Sequence, residues 1–383
     1  MEIIKRAVMG EVIPSIVMVA MEFFTIAFTI LASTLISKGI STFVFVVYTN
    51  VLGSFFLAFF YFLFDRSNQT EEKPRGLTFH FYIRVFLLGL IGIAIAQNLA
   101  FLGLSYSSPI VACGMANLMP AFSFILSILL RRTKIEWKNS GSQVKLVGTL
   151  ISIAGAASLT LYRGPIVKNS PFYLMSSSPK RQQNRLFVFS STHENWILGC
   201  ILYAAASLAV SAWNIIQVGT IKRYPQVMKI VCLYSFAGTI LSAFLAIFIE
   251  RDINSWKLEL DMKLLVIVLM AIFGSVVRIK VNMWCTKLKG PMFVSIFKPV
   301  GIPIASMFGC FLFADTFHYG SMMGAVICGV GYYTIIWGQI AHDESAQRPK
   351  KSNGLPKSDE KVPLLEEKNQ EEEEEEEEED SPV

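Results

Sequence analysis

The chain has 383 residues, of which 53% are hydrophobic and only 16% are charged. Soluble domains carry about 25% charged residues, so this composition excludes a soluble globular protein and predicts an all-α protein that crosses a membrane many times. The net charge of +5 hides an acidic tail, because residues 342–383 hold 16 acidic and 6 basic residues. The basic remainder suits anionic lipid headgroups and not nucleic acid, since its charges lie in short loops between apolar segments.

Ten apolar segments come close to the length of about 20 residues that a membrane-spanning helix needs. They are roughly residues 13–35, 43–64, 85–104, 110–130, 147–162, 197–220, 230–249, 264–284, 292–313 and 322–340. The first is too long for the apolar core of a secretion signal and predicts a retained span. With a cytosolic amino terminus, inner segments hold 16 lysines and arginines and outer loops hold 9. The positive-inside rule therefore predicts that both termini are cytosolic, although one long outer loop holds five of the nine.

Prolines and glycines recur at similar spacings in the two halves of the chain. The matches are 182, 183, 176 and 176 residues apart, and they are Pro109 with Pro291, Pro120 with Pro303, Gly148 with Gly324, and Gly155 with Gly331. Chance is the alternative, but the shared order favours a repeat. Five spans in each half is an odd number, so we expect the halves to be inverted relative to each other. Inverted repeats with broken helices and a midplane site are typical of transporters.

We predict four parts: a first five-helix repeat at 1–163, a polar loop at 164–195, a second five-helix repeat at 196–341 and a tail at 342–383. The tail contains nine consecutive glutamates, so like-charge repulsion and little apolar surface predict disorder. Within it, Glu360, Leu364 and Leu365 form an acidic dileucine pattern of the kind that sorting adaptors bind. A chance match is the alternative for so short a pattern.

Lys298 lies inside the ninth span and is directly followed by Pro299. A charge within a span is costly unless it is paired or faces water, so it marks a candidate functional site. Snorkelling to the headgroups is the alternative, because Lys289 is only nine residues away. Proline frees a helix carbonyl, and only a wet or protein-lined cavity tolerates that inside a membrane. We therefore predict hinges at Pro120, Pro299 and Pro303.

Two further charges lie within predicted spans. Glu22, in the first span, predicts a contact to a substrate amine or a coupling proton, and a structural partner for a buried cation is the alternative. In the eighth span Arg278 and Asn282 share a helix face with Gly274. Arg278 has the planar fork that clamps a carboxylate, with snorkelling again the alternative.

Neutral amides inside the spans complete the candidate substrate-binding set. They line a pocket or serve as ordinary interhelical hydrogen bonds, and they are Gln97, Asn98, Asn117, Asn214 and Gln217. The six cysteines lie in or beside spans without a CxxC pair, so we expect no zinc site, other metal site or cofactor. The spans hold no nucleophile elbow or paired carboxylate set, so we expect no enzyme.

Several short motifs resemble a known family. They are Asn117-Leu118-Met119-Pro120, Leu161-Tyr162-Arg163-Gly164-Pro165, Asn195-Trp196, Tyr224-Pro225, Trp284, Lys289-Gly290-Pro291 and Phe297-Lys298-Pro299. Over residues 12–340 they resemble the plant drug/metabolite transporters with EamA domains, in the Walls Are Thin related (UMAMIT) branch. The resemblance implies ten helices in two inverted EamA-type repeats, and carriage of amino acids or, in some members, of auxin. Three positions depart from the family pattern: Thr49 after Tyr48, Glu22 in place of a neutral amide, and Arg278.

Together these features predict a secondary transporter of small organic solutes, expected to be amino acids, that works by alternating access. Lys298, with Arg278, would neutralise the substrate carboxylate. An auxin or other organic-anion carrier is one alternative. A membrane receptor or scaffold is a second, which the internal repeat disfavours. The family predicts the plasma membrane, and the dileucine pattern makes the vacuolar membrane the alternative.

Overall fold

The computed structural model describes residues 12–65, 79–130, 140–162, 195–224, 226–257, 262–312 and 319–347. None of these residues lies in a β-strand. Nine helices within these ranges are long and apolar enough to cross a bilayer, and a tenth apolar segment is interrupted by a 3-10 turn. The predicted all-α membrane fold is confirmed. The polar loop before Asn195 and the tail after Gln347, including Glu360, Leu364 and Leu365, lie outside the described residues.

The ten helices are labelled in chain order. Those of the first half are α1 (Ile13–Ser37), α2 (Thr42–Phe60, with a π-helical end at Tyr61–Asp65), α3 (Phe79–Tyr106), α4 (Pro109–Leu129) and α5 (Ser140–Leu161). Those of the second half are α6 (Trp196–Arg223), α7 (Val227–Ile249), α8 (Met262–Lys289), α9 (Pro291–Ile296, the turn Lys298–Val300, and Gly301–Leu312) and α10 (Tyr319–Gln347).

Helix α5 begins at Ser140, seven residues before the apolar segment at 147 and three before Gln143, the earliest start that the sequence predicts. Hydropathy marks only the apolar part of a span, whereas the polar first turns of α5 are also packed. A Cβ added at Gly338 of α10 would lie 2.9 Å from the Lys145 nitrogen and 3.0 Å from the Gly141 oxygen. This close contact with α10 holds the polar turns in the helix.

The chain reverses between α8 and α9 at a single glycine. Gly290 has a φ of +84°, a left-handed conformation that residues with a Cβ rarely adopt. Its nitrogen donates to the Thr286 oxygen at 2.9 Å, which closes the last turn of α8. Pro291 follows at the first position of α9, where its missing N–H leaves no helix bond unmade. The Lys-Gly-Pro motif is therefore a helix end followed by a helix start.

Irregular backbone occurs at matching places in the two halves. Helix α3 contains a π-helical stretch at Leu90–Ile95, and α8 contains one at Phe273–Val277. Helix α4 is divided into Pro109–Ala116 and Met119–Leu129, and its counterpart α9 is divided at the turn Lys298–Val300. Such single-turn π-helices and broken helices are common at functional sites. The third and fourth helices of each repeat therefore share the same interruptions.

Contacts between helices also follow the repeat. A Cβ added at Gly89 of α3 would lie 2.7 Å from the Gly238 nitrogen of α7. A Cβ added at Gly53 of α2 would lie 3.3 Å from the Ser275 Cβ of α8. Adding about 185 to Gly89 and Gly53 gives Ser275 and Gly238, the partners in the other contact. The contact of α3 with α7 in one half therefore corresponds to the contact of α8 with α2 in the other. A two-fold relation between the halves exchanges contacts in this way, and with five helices in each half it agrees with the predicted inverted repeats.

The fifth and tenth helices meet through the glycines that the repeat singled out. A Cβ added at Gly148 would lie 3.0 Å from the Gly331 oxygen, and one added at Gly324 would lie 3.1 Å from the Gly155 oxygen. Because no side chain separates them, the two backbones approach closely, as small residues allow in membranes. The glycine matches thus reflect a shared packing interface.

Replacing Gly155 with alanine is expected to destabilise the protein by about 1–3 kcal/mol, because overpacking forces backbones apart. The new Cβ would lie 2.6 Å from the Cys328 nitrogen, which is backbone and cannot rotate away. Thermal unfolding in detergent measures the loss. Gly274→Ala is the matched control, since nothing lies within 4 Å of its added Cβ. Equal melting temperatures for the two variants would contradict the packing assigned to α5 and α10.

Candidate functional site

An ion pair joins α1 to α9 inside the membrane-spanning region. The Lys298 Nζ donates to the Glu22 Oε1 at 2.7 Å. The Glu22 residue is only 5% exposed, whereas the Lys298 side chain retains 25% exposure. Removing either partner from such a buried pair is costly, because the other charge is then left without compensation. Lys298 therefore points to a carboxylate on another helix and does not snorkel to the headgroups.

Pro299 explains why Lys298 lies on a break in the helix. Proline has no N–H, so the Ser295 oxygen, four residues earlier, loses its usual helical donor. The Tyr332 hydroxyl of α10 donates to this oxygen at 2.8 Å. The Val300 nitrogen turns back to the Phe297 oxygen at 3.1 Å, which forms the 3-10 turn. A side chain from α10 thus replaces the hydrogen bond that the proline removes.

Tyr332→Phe is expected to lower transport about three- to tenfold, because losing a hydrogen bond costs about 0.5–1.5 kcal/mol and here loosens the turn that presents Lys298. The check is the initial rate of uptake in reconstituted vesicles. Tyr333→Phe is the matched control: it removes a hydroxyl from the neighbouring residue, whose side chain is 41% exposed. Equal rates for both variants would show that the Tyr332 hydroxyl does not support the turn.

The break in α4 is stabilised by its own asparagine. The Asn117 nitrogen bonds to the Gly114 oxygen at 3.2 Å, a shortened turn. The Asn117 Nδ2 donates instead to the Cys113 oxygen at 2.8 Å, which its backbone nitrogen would otherwise have reached. Pro120 follows at the start of the second half of α4. Asn117 therefore substitutes for its own backbone donor.

Two serines of α6 also satisfy carbonyls beside the α4 break. Ser207 Oγ donates to the Met115 oxygen and Ser211 Oγ to the Met119 oxygen, each at 2.8 Å. The serines are one helical turn apart, so both face α4. A serine in a span does not by itself indicate a functional residue, since serine is a common small residue at membrane helix contacts. Sequence reasoning therefore missed them.

The surroundings of the Glu22–Lys298 pair are mostly apolar. Ile26, one helical turn after Glu22, packs with Ile30 and Ala305. A Cβ added at Gly301 would lie 3.9 Å from the Glu22 Oε2. The Cys113 thiol and the Tyr332 phenol lie close enough to Glu22 to interact electrostatically. A thiol and a phenol ordinarily carry no charge at neutral pH. In this low-dielectric setting the two opposite charges attract strongly.

Arg278 is the third charge near the site. It lies close enough to Lys298 for the two positive charges to repel each other, but its own side chain is exposed. The space beside Gly274, one turn earlier on α8, is open. Asn282, one turn later, is half-buried. The α8 face predicted from sequence thus lies partly open, with its arginine near the ion pair.

The candidate amides of α3 belong to a separate polar cluster. Gln97 Oε1 accepts from the Asn50 Nδ2 at 2.7 Å. Asn98 Nδ2 donates to the Ser242 Oγ of α7 at 3.1 Å, and its Oδ1 is buried without a partner in the described part of the chain. Asn50 was not predicted, because a single amide at that position carries no spacing signal. This cluster ties α2, α3 and α7 together.

The remaining candidates lie apart from the ion pair. Asn214 and Gln217 of α6 are half-buried, and within the described ranges no hydrogen bond connects them to Glu22 or Lys298. Pro303 lies in the first turn after the α9 break, in Gly301–Leu312, where a missing N–H disturbs no helix bond. Of the predicted hinges, Pro120 and Pro299 lie at the breaks and Pro303 does not.

Metal chemistry finds no support in the parts of the chain that the structure describes. No group of three or more histidine, cysteine, aspartate or glutamate residues there is arranged to hold a metal ion. Within the described residues no disulfide joins the cysteines Cys113, Cys200, Cys232, Cys285 and Cys328.

Comparison with known proteins places the chain in a family. Residues 13–161 match the EamA-like transporter family. WAT1-related protein At1g70260 of Arabidopsis thaliana is 44% identical over 366 residues, covering 93% of this chain and 96% of the relative. The chain belongs to the WAT1-related EamA transporters. WAT1-related protein At1g60050 of the same plant is 43% identical, covering 92% of this chain and 95% of the relative. Protein WALLS ARE THIN 1, also of Arabidopsis thaliana, is 31% identical, covering 85% of this chain and 82% of the relative. This WAT1-related chain is thus an integral, multi-pass membrane transporter.

Proposed function

We propose that this WAT1-related transporter is a secondary carrier of amino acids that works by alternating access, not an enzyme. The observation that supports the proposal is the Glu22–Lys298 pair, a carboxylate and an ammonium held 2.7 Å apart between two membrane helices. An α-amino acid carries the same two groups on one carbon atom. The pair is therefore complementary to an amino acid in charge.

The binding step follows from exchange of partners. The substrate carboxylate takes the place of Glu22 at Lys298, and the substrate ammonium pairs with the Glu22 carboxylate. Each buried charge keeps an opposite charge beside it throughout, so no step leaves an uncompensated ion in a low-dielectric site. The Lys298 side chain retains 25% exposure, so its ammonium is not completely enclosed by the protein.

The transport step uses the two repeats. In inverted-repeat carriers, one half rocks against the other around a fixed midplane site. The breaks in α4 and α9 lie at matching places in the repeats and give each half a point of flexure. The Glu22–Lys298 pair joins α1 of the first repeat to α9 of the second, so a bound substrate would contact both halves.

The test is uptake and efflux of labelled solutes by the purified protein in proteoliposomes. The panel holds neutral, acidic and basic amino acids, an indole acid and a nucleotide sugar, each with and without a proton gradient. Saturable movement of neutral amino acids in both directions supports the proposal. Movement of the indole acid or the nucleotide sugar alone would refute it, and so would no movement of any carboxylate solute.

An organic-anion carrier is the second candidate, favoured by Arg278. Its positive charge lies near Lys298, and two cations suit a substrate that carries only negative charge. Such a carrier would have to neutralise Glu22 with a proton. Uptake of the indole acid that is driven by an inward proton gradient, together with no amino acid uptake, would establish this alternative.

We further propose that both termini are cytosolic and that the protein resides in the plasma membrane, with the vacuolar membrane as the alternative. The lysine and arginine bias supports the orientation. Sorting adaptors that bind Glu360, Leu364 and Leu365 would direct the vacuolar route. Live imaging of a fluorescent fusion in plant cells, with and without Leu364→Ala and Leu365→Ala, tests the location. A location unchanged by both substitutions would remove the adaptor proposal.

A further inference from the structure

Glu22 stands where the carboxylate of a substrate would bind. Its Oε1 lies 2.7 Å from the Lys298 Nζ, the usual distance of a charge-assisted hydrogen bond. The residue is 5% exposed, and the next turn of α1 brings the apolar Ile26, which packs with Ile30 and Ala305. In the substrate-free protein the charge of Lys298 is thus neutralised by the chain itself.

From this contact we infer that Glu22 determines specificity: it makes the site select zwitterions over simple carboxylates and allows the empty carrier to reorient. The inference rests on the proposed amino acid transport. It goes further by assigning the choice between charge classes, and between net transport and exchange, to one side chain.

The preference for zwitterions follows from the charges of the site in each state. The empty site is neutral, and it stays neutral when a zwitterion binds. A simple carboxylate adds one negative charge that no residue of the pair balances, and a simple amine adds one positive charge. Arg278 is left out of this count, because its side chain is exposed and its charge is not buried with the pair. Since an unbalanced buried charge opposes passage through the occluded state, the zwitterion moves fastest.

The same count applies to the return of the empty carrier. With Glu22 present the empty site is neutral and can reorient without a ligand, so net uptake is possible. In the Glu22→Gln variant the empty site holds an unpaired lysine, so the empty carrier reorients slowly. Binding a simple carboxylate makes this variant neutral again, so the variant should exchange carboxylates and fail at net uptake. Lys298→Met leaves an unpaired carboxylate and should by the same reasoning accept a simple amine.

The experiment uses the full chain in proteoliposomes, with two sets of labelled probes, each made of an amino acid, its analogue without the amino group and its analogue without the carboxyl group. One set is glutamine, 4-carbamoylbutanoate and 4-aminobutanamide. The other is phenylalanine, 3-phenylpropanoate and 2-phenylethylamine. Protein-free vesicles give the background leak. Each probe is measured as net uptake into empty vesicles and as counterflow into vesicles preloaded with the unlabelled probe. Lys257→Met, an exposed loop lysine bonded to Asn254, is the matched control for loss of a positive charge.

We expect the wild type and Lys257→Met to prefer the amino acid over both analogues by about tenfold, the rate factor for 1.36 kcal/mol. Glu22→Gln should prefer the desamino carboxylate and move it about tenfold faster in counterflow than in net uptake, because its empty site holds a buried unpaired charge. Lys298→Met should prefer the amine. Where Glu22→Gln does not fold, Lys298→Met tests the same inference.

Two failures are distinguishable. Wild-type protein that moves no amino acid overturns the proposed function, and this inference with it. Wild-type protein that moves amino acids, with variants that keep its preference, overturns the inference alone. Folded variants that move no probe in either mode also overturn it, since they would show that the two charges cannot act separately.

Discussion

Lys298→Met is expected to lower the initial rate of amino acid uptake about 100-fold or more, since charge-assisted and buried ionic contacts contribute several kcal/mol. Methionine keeps most of the length of the side chain, but it removes the ammonium that meets the substrate carboxylate. It also leaves the 5%-exposed Glu22 without its partner at 2.7 Å. Uptake of a labelled neutral amino acid into proteoliposomes measures the effect.

The control for this prediction is again Lys257→Met, which removes an exposed lysine near the end of the α7–α8 connection. Its Nζ bonds only to an exposed asparagine within the described residues, and such surface contacts contribute little. Its uptake should equal that of the wild type. Uptake by Lys298→Met within about threefold of the wild type, a difference of less than 1 kcal/mol, would remove Lys298 from the binding site.

Sequence patterns predicted the fold well because a membrane constrains it strongly. Apolar length identifies spans, since every backbone group must be satisfied within its own helix. The repeat in prolines and glycines appears in the structure as matched breaks in α4 and α9 and as the α5–α10 glycine contact. Apolar length did not predict the first turns of α5, because they are mostly polar and yet pack against α10 at Gly141 and Lys145.

The charged candidates could be named from the sequence, but their pairing could not. Glu22 and Lys298 are 276 residues apart, and no spacing rule connects positions on different helices. A buried charge predicts that a partner exists, not which residue it is. The choice between snorkelling and pairing for Lys298 depended on how α1 packs against α9, which is tertiary information.

Hydroxyl groups were the main omission. Tyr332, Ser207 and Ser211 each bond to a carbonyl near a helix break on another helix. Tyrosine and serine are frequent in membrane helices, so composition does not distinguish these three. A search would have to start from the carbonyl that Pro299 frees, at Ser295, and ask which helix supplies a donor. That question needs the packing of α10 on α9.

Exchanging the two charges is the second large prediction. Glu22→Lys and Lys298→Glu alone each place like charges side by side, and each is expected to destabilise the protein by about 3–5 kcal/mol or more. The double variant restores an opposite pair and should recover most of that loss, as a favourable interaction energy in a double-mutant cycle. Thermal unfolding of the four proteins in the same detergent measures it. A double variant no more stable than the sum of its parts would mean that the two side chains do not interact in the folded protein.

Transport by the double variant separates the two roles of the pair. If the Glu22–Lys298 contact only holds α1 against α9, restoring the opposite charges restores transport together with stability. If the pair binds the substrate, the positions of its charges matter, because the lysine lies on the α9 break and the carboxylate on an unbroken helix. The exchanged pair would present each charge where the substrate carries the same one. We therefore expect the double variant to be stable and yet to transport amino acids about 100-fold more slowly than the wild type, the factor for roughly 2.7 kcal/mol.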